Sequence, residues 1–294
     1  MRPFQYEAPK SLAGAVALLA AQGEQARPIA GGTDLLVQLR YRRFDVATVV
    51  DVKAIPELRQ LQFGAGGLAI GAAVSCAEIC EHPDVRLHYP GLVDAASLIG
   101  GVAIQSRATL GGNLCNAAPS GDSIPAMIVL GAEAQIAGPE GERRVPVAEF
   151  CTAPGKTVLR RGELLVALHF PAPLPRSGAR YMRFIPRGEM DIAVAGAGAW
   201  LALAEDMTTI DDARIALSAV APRPLWAVSA GESLRGRHLT EAALEDAAAL
   251  AREAVQPITD VRGTEAQRRH LVGVLVRRAL HDAAIRAKGG NING

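Results

Sequence analysis

The chain has 294 residues, enough to bury a large core and to divide into about two domains. Hydrophobic residues make up 49% and charged residues 21%, and the formal net charge of +1 gives no global electrostatic reason to bind nucleic acid or an anionic membrane. The start, Met1-Arg2-Pro3-Phe4-Gln5-Tyr6-Glu7, lacks the apolar core of a secretory signal, and the longest apolar run, Ile192 to Ala204, falls short of the roughly 20 residues of a spanning helix, so a cytoplasmic location is expected.

In chain order, Ser11 to Gln22 reads as a helix with a serine N-cap and Gly23 as its stop. Arg27 to Ala30 is a short strand feeding the loop Ala30-Gly31-Gly32-Thr33-Asp34. Leu35-Leu36-x-x-Leu39 then has helical spacing, with Thr33 or Asp34 placed to cap its first turn. Thr48 to Val52 is a β-branched strand. Gly64-Ala65-Gly66-Gly67-Leu68-Ala69 comes near the nucleotide fingerprint, but Leu68 to Ala72 reads as a strand and not a helix, so a hairpin turn is expected. Ser75 opens a helix with Glu78 at capping-box spacing, and Leu92 to Leu98 suggests another. The second glycine pair lies in Ala108-Thr109-Leu110-Gly111-Gly112-Asn113. The stretch from Asn113 to Asp122 has neither strand nor helix period and is expected to be a functional loop.

Ser123 to Leu130 resumes as a buried helix, followed by strands near Ala134–Ala137, Arg143–Val147 and Glu163–Leu168. The Pro-rich segment Pro171 to Gly178 is a connector and the expected domain boundary. Beyond it come three strands, Arg180–Ile185, Ile192–Leu203 and Arg214–Val220, then helices near Trp226–Leu234, Glu241–Val255 and Glu265–Ala287. Strands first and helices last suggest a small α+β domain. In the last helix Leu271, Val272, Leu275, Val276, Ala279 and Leu280 share a face, which leaves Arg268, Arg269, Arg277 and Arg278 to solvent. The four cysteines, Cys76, Cys80, Cys115 and Cys151, form no CxxC pair and read as structural thiols.

The two glycine pairs carry the chemistry. A glycine can turn its N–H toward an anion, and a run of such N–H groups makes a nest for phosphate oxygens. A helix N-terminus beside the first pair adds to that field. Neither loop is a P-loop or G-x-G-x-x-G, so the residues alone say only that an anion is gripped, or that both pairs are tight turns.

The ordered set of features resembles a known family. Ala30-Gly31-Gly32-Thr33-Asp34, then Thr109-Leu110-Gly111-Gly112-Asn113, then Pro119-x-x-Asp122, is similar to the FAD-binding medium subunit of molybdenum hydroxylases, which include xanthine and carbon monoxide dehydrogenases. Phe4-x-Tyr6-x-x-Pro9, Arg183-x-x-x-Arg187 with Asp191, and Ala221-Pro222-x-Pro224 extend the resemblance along the chain. It implies an α+β protein with a two-part FAD-binding domain of the vanillyl-alcohol-oxidase (PCMH) type over residues 1–175, in subdomains 1–55 and 56–175. A small domain with a three-stranded antiparallel sheet and helices would follow over 176–288, then a flexible tail, 289–294.

The resemblance also implies site residues. Ile29, Ala30, Gly31, Gly32, Thr33, Asp34, Leu35 and Leu36, with Ala108, Thr109, Gly111, Gly112 and Asn113, would wrap the FAD diphosphate through N–H groups and the hydroxyls of Thr33 and Thr109. Asp34 is expected to cap its helix, because a carboxylate facing phosphate is repelled. Asp122 would bond ribityl or ribose hydroxyls, Leu164 and Leu165 would lie near the flavin–adenine pocket, and Arg183 would reach the isoalloxazine edge. Where the family often has Arg-Asn before the second loop, this chain has Gln105-Ser106-Arg107, so a side-chain contact from that turn stays open. With no histidine in either loop, the flavin is expected to be non-covalent, and no metal site is expected in this chain. The function implied is an electron-transfer oxidoreductase subunit with no catalytic acid–base residues of its own. It would take electrons from the [2Fe–2S] clusters of a small subunit, beside a large molybdopterin subunit, in a heterotrimer or a dimer of heterotrimers. A stand-alone flavin oxidoreductase and a scaffold that has lost FAD are the alternatives.

Overall fold

The computed structural model describes residues 2–292, so the last two residues of the expected tail lie outside the described residues. The chain opens with β1 (Gln5–Glu7), α1 (Leu12–Gln22), β2 (Ala26–Ile29), α2 (Leu35–Arg40) and β3 (Thr48–Asp51). Ser11 caps α1 as expected, its side chain accepting the Gly14 N–H. The three strands form a parallel sheet in the order β1-β3-β2, with Thr48 opposite both Gln5 and Ala26. All four residues of β3 are buried, as the centre of a parallel sheet requires.

The next part contains β4 (Leu61–Gly64), β5 (Gly67–Gly71), α3 (Cys76–Glu81), α4 (Pro83–His88), α5 (Pro90–Ala96), α6 (Val102–Gln105), α7 (Leu110–Asn116) and α8 (Ser123–Val129). It continues through β6 (Glu133–Gly138), β7 (Gly141–Pro146), α9 (Val147–Phe150), β8 (Cys151–Ala153), β9 (Lys156–Thr157) and β10 (Leu164–Phe170). A five-stranded antiparallel sheet runs β4-β5-β10-β6-β7. The glycine-rich near match is the turn of the β4–β5 hairpin, where Gly64 pairs with Gly67. Ser75 and Glu78 form both halves of the expected capping box. The stretch from Asn113 is not loop throughout: α7 extends to Asn116 and ends on Ala117 in the left-handed conformation. Burial of Leu110 and Leu114, one helical turn apart, outweighs the poor helix propensity of Gly-Gly-Asn.

The remainder folds as β11 (Ser177–Phe184), β12 (Ala195–Leu203), β13 (Ile210–Ser218), β14 (Leu225–Trp226), α10 (Val228–Glu232), α11 (Glu241–Ala254) and α12 (Glu265–Ala287). Its antiparallel sheet has four strands, not three, because Leu225–Trp226 pairs with Ala216 and Leu217 where a helix start was expected. The period-two alternation of β12 divides two cores. Ala195, Ala197, Ala199, Leu201 and Leu203 face α11 and α12, while Trp200 and Ala202 join the core of the preceding domain.

Arg268 is not on a solvated face. Its guanidinium is buried, donating to the carbonyls of Val194 at 2.7 Å and Ala219 at 2.9 Å and to Asp260 at 2.8 Å. Three acceptors in fork geometry replace its hydration, which apolar periodicity could not reveal. A second charged cluster ties the C-terminal part to the helices before it. Asp94 on α5 accepts from Arg180 at 2.9 Å and from Arg286 at 2.6 Å, and Arg180 also pairs with Asp282 at 3.3 Å. Replacing Asp94 by alanine leaves two largely buried guanidiniums short of a partner. The expected cost is about 3 kcal/mol, read as a lower urea midpoint at unchanged slope.

Candidate functional site

The two glycine loops meet in one cavity. Gly31, straight after β2, packs so closely on the segment before α7 that a Cβ there would stand 1.8 Å from the Arg107 carbonyl oxygen. Gly32 follows at φ +74°, a conformation glycine adopts freely, and turns the chain into α2. Among the described residues, the N–H groups of Gly31, Gly32, Thr33, Asp34 and Leu35 make no hydrogen bond. Lys53 braces the loop from behind, its Nζ donating to the Ala30 carbonyl at 3.2 Å and to Asp51 at 2.8 Å. Burial works against the Asp51 charge, but the bonds from Lys53 and Tyr6 outweigh it and hold the carboxyl below its ordinary range.

The cavity so enclosed measures about 290 Å³. Ile29 to Leu35 line one wall, and Ala108, Thr109, Gly112 and Asn113 line another. Six implied residues stand elsewhere, Asp122 and Arg183 among them. Leu36 is exposed on the outer side of α2, and Gly111 is buried against Ala72, whose carbonyl oxygen a Cβ would meet at 2.6 Å. Leu164 and Leu165 are packed inside the central strand of the five-stranded sheet.

The second loop, unlike the first, spends several of its N–H groups internally. Gly112 donates to the Thr109 hydroxyl at 2.8 Å, Asn113 to the Thr109 carbonyl at 3.0 Å, and Ala108 to the Ile104 carbonyl at 2.7 Å. Thr109 is thus the N-cap of α7, its hydroxyl oxygen accepting from Gly112 while the hydroxyl proton stays free to donate. The Gln105 and Ser106 side chains turn back onto the carbonyls of Ser97 and Ala103. Asp34 overturns its expected role: its side chain caps nothing, and the carboxyl lies on the cavity wall, pushed up by burial.

Asp122 and Arg183 sit together beyond the cavity wall. Arg183 donates to one Asp122 oxygen, and the Tyr181 hydroxyl donates to the other at 2.8 Å. Burial pushes the Asp122 carboxyl up, against the pull of Arg183 and Tyr181, while burial and the Asp122 charge drive the Tyr181 phenol far above its usual value. Room for this cluster comes from Gly196, where a Cβ would meet the Ser218 Oγ at 2.4 Å and the Tyr181 hydroxyl at 2.5 Å. Asn113 links cluster and cavity, since its Oδ1 accepts from Ser123 at 2.7 Å, next to Asp122.

Sequence reading missed a third wall. Arg27, Arg43, Phe44, Pro154, Gly155 and Lys156 line the cavity, and Gln38 bridges α2 to α7 through Asn116 at 2.9 Å. The Pro154-Gly155 pair signals a turn, but nothing local says where that turn folds to.

Comparison with known proteins gives the family of the chain. The family described as "FAD binding domain in molybdopterin dehydrogenase" matches residues 2–173, and "CO dehydrogenase flavoprotein C-terminal domain" matches residues 180–283. The chain belongs to this FAD-binding family. It is 34% identical over 286 residues to a putative xanthine dehydrogenase FAD-binding subunit of Escherichia coli, covering 97% of each chain. It is 35% identical over 285 residues to the carbon monoxide dehydrogenase medium chain of Afipia carboxidovorans, covering 97% of this chain and 98% of that one. The solved structure of reconstituted CO dehydrogenase from Oligotropha carboxidovorans superposes with a TM-score of 0.93 at 34% identity, covering 97% of this chain and 99% of that one.

The residues present fit FAD. A row of unbonded N–H groups, the N-terminus of a short helix and a cation-bearing wall suit a diphosphate, and the close approach at Gly31 makes the cradle that a side chain would fill. Gly31→Ala is expected to cost about 2 kcal/mol through overpacking and to leave the purified protein depleted of flavin. Gly188→Ala, where a Cβ meets nothing within 4 Å, should keep both stability and flavin absorbance.

Proposed function

We propose that this chain is the flavin relay of a multi-subunit molybdenum hydroxylase. It takes electrons from the [2Fe–2S] clusters of a small partner subunit and passes them to an external acceptor such as NAD, a quinone, oxygen or a carrier protein. The observation that carries this reading is likeness over nearly the whole chain to FAD-binding and medium chains of dehydrogenases, with both glycine loops closing one cavity. When bound, FAD supplies the ability to accept electrons singly and release them in pairs. The chain supplies position and charge. N–H groups of residues 31–35 hold the diphosphate, the Thr33 and Thr109 hydroxyls donate to it, and Asp122 serves the sugar or ribityl hydroxyls. Arg183, clamped by Asp122, sets a positive edge at the junction between the domain of residues 1–175 and that of residues 176–288.

Oxidation of the organic substrate falls to a molybdopterin subunit under this reading. Among the described residues no group of three or more His, Cys, Asp or Glu side chains is placed to hold a metal, and the four cysteines are free thiols. Among the same residues, no helix is long and apolar enough to cross a membrane.

The test is purification of the tagged chain from its own cells, with flavin, iron and molybdenum analysis. The expected result is a complex of three subunit types, yellow-brown, whose substrate bleaches the flavin only while the iron–sulfur subunit remains bound. A yellow chain that purifies alone and turns over a substrate would replace this reading with a free-standing flavin oxidoreductase. A colourless chain that takes up no FAD would make it a scaffold.

A further inference from the structure

We infer that Arg43 and Lys156, outside both glycine loops, supply the countercharge for the cofactor's diphosphate. This rests on the placement of that diphosphate in the cavity between the loops. Arg43 comes shortly after α2, its N–H bonded to the Gln38 carbonyl at 2.9 Å. Lys156 opens β9, on a turn tied to the C-terminal end of α7 by the Gly155 N–H and the Ala117 carbonyl at 3.0 Å. An ideal Cβ on Gly155 would lie 3.6 Å from Arg43 Nη2, so the guanidinium rests against the turn that carries Lys156. Segments more than a hundred positions apart in the chain thus bring two cations to one wall of the cavity.

Among the described residues, neither Arg43 nor Lys156 has a salt-bridge or side-chain hydrogen-bond partner. Arginines at other seams of this protein are paired, as Arg143 is with Glu163 and Arg180 with Asp94. Like charges lining one cavity repel, and cations not paired with an acid are stabilised when an anion arrives. Among the described residues Asp34 is the only carboxylate on the cavity wall, and Arg27, held over the Phe44 ring at 4.2 Å, adds a third cation. The unbonded N–H groups of residues 31–35 border the same space, so dipoles on one wall and full charges on the other enclose a doubly charged group. Backbone dipoles fix its place; the cations raise its affinity and its rate of capture.

The experiment measures FAD binding to the flavin-stripped full chain by quenching of flavin fluorescence, across a salt series, for Arg43→Gln, Lys156→Gln and the double variant. Arg40→Gln, on α2 but away from the cavity, controls for loss of surface charge. Each single change is expected to weaken FAD about ten-fold, the size of a lost charge-assisted hydrogen bond, and the double change should flatten the salt dependence. ADP, which carries the diphosphate without the flavin, should lose affinity in parallel, and Arg43→Lys should restore part of the loss. Thermal melting of the apo variants checks that the fold is kept. If the wild-type chain binds FAD and both variants match it in affinity and salt slope, the inference is overturned while the FAD site stands. If the wild-type chain binds no FAD, the placement of the site fails, and this inference with it.

Discussion

The contact of Gly31 with the carbonyl of Arg107 is the constraint on which the site depends. Two backbones approach there more closely than any side chain allows, and that approach brings the turn after a parallel strand to the segment that starts α7. Everything functional is measured from this point. The unbonded N–H groups of residues 31–35 border a cavity only because the second loop closes it, and Lys53 holds the first loop by its Ala30 carbonyl. A ligand spanning both walls therefore senses the packing of two separate sheets.

The two loops divide the work differently from their look-alike sequences. In the first, glycine frees N–H groups for a ligand. In the second, the Thr109 cap and the first α7 hydrogen bond take up the Gly112 and Asn113 N–H groups, and Gly111 lets the helix press on Ala72. The same dipeptide leaves N–H groups unbonded in one place and permits close packing in the other. What separates them is the capping side chain: that of Thr109 bonds Gly112, whereas that of Asp34, at the cap position of α2, makes no cap bond.

The same contrast marks where the sequence was legible and where it was not. Local signals carried the Ser11 and Ser75 caps, the Gly64–Gly67 hairpin and the amphipathic α11 and α12, because each is decided within a few residues. The resemblance carried the family, since ordered motifs survive where spatial contacts are invisible. Burial of Arg268 was hidden because its acceptors, Val194 and Ala219, flank other strands and a charged residue reads as solvated by default. Arg43 and Lys156 were hidden for the same reason: a cation on a turn is ordinary until folding shows that no acid pairs with it. The α7 helix was missed because its glycines argue against helix while two buried leucines, visible only in context, argue for it.

The C-terminal part holds charge in place beside the start of α8. Its sheet presents Tyr181 and Arg183 to Asp122 at the start of α8, Ser218 bonds the Tyr181 hydroxyl, and Gly196 leaves the space they occupy. Asp122 thereby carries a neutralised charge: one oxygen on a guanidinium, the other on a phenol. A buried carboxylate so paired is costly to form yet hard to move, and it fixes the orientation of Arg183 more tightly than a surface pair would. The field at that junction is then set by geometry and not by side-chain mobility. A pair so held does not reorganise when charge nearby changes, and the ion pairs of Asp94 with Arg180 and Arg286 tie the strand that carries Arg183 and the last helix to α5.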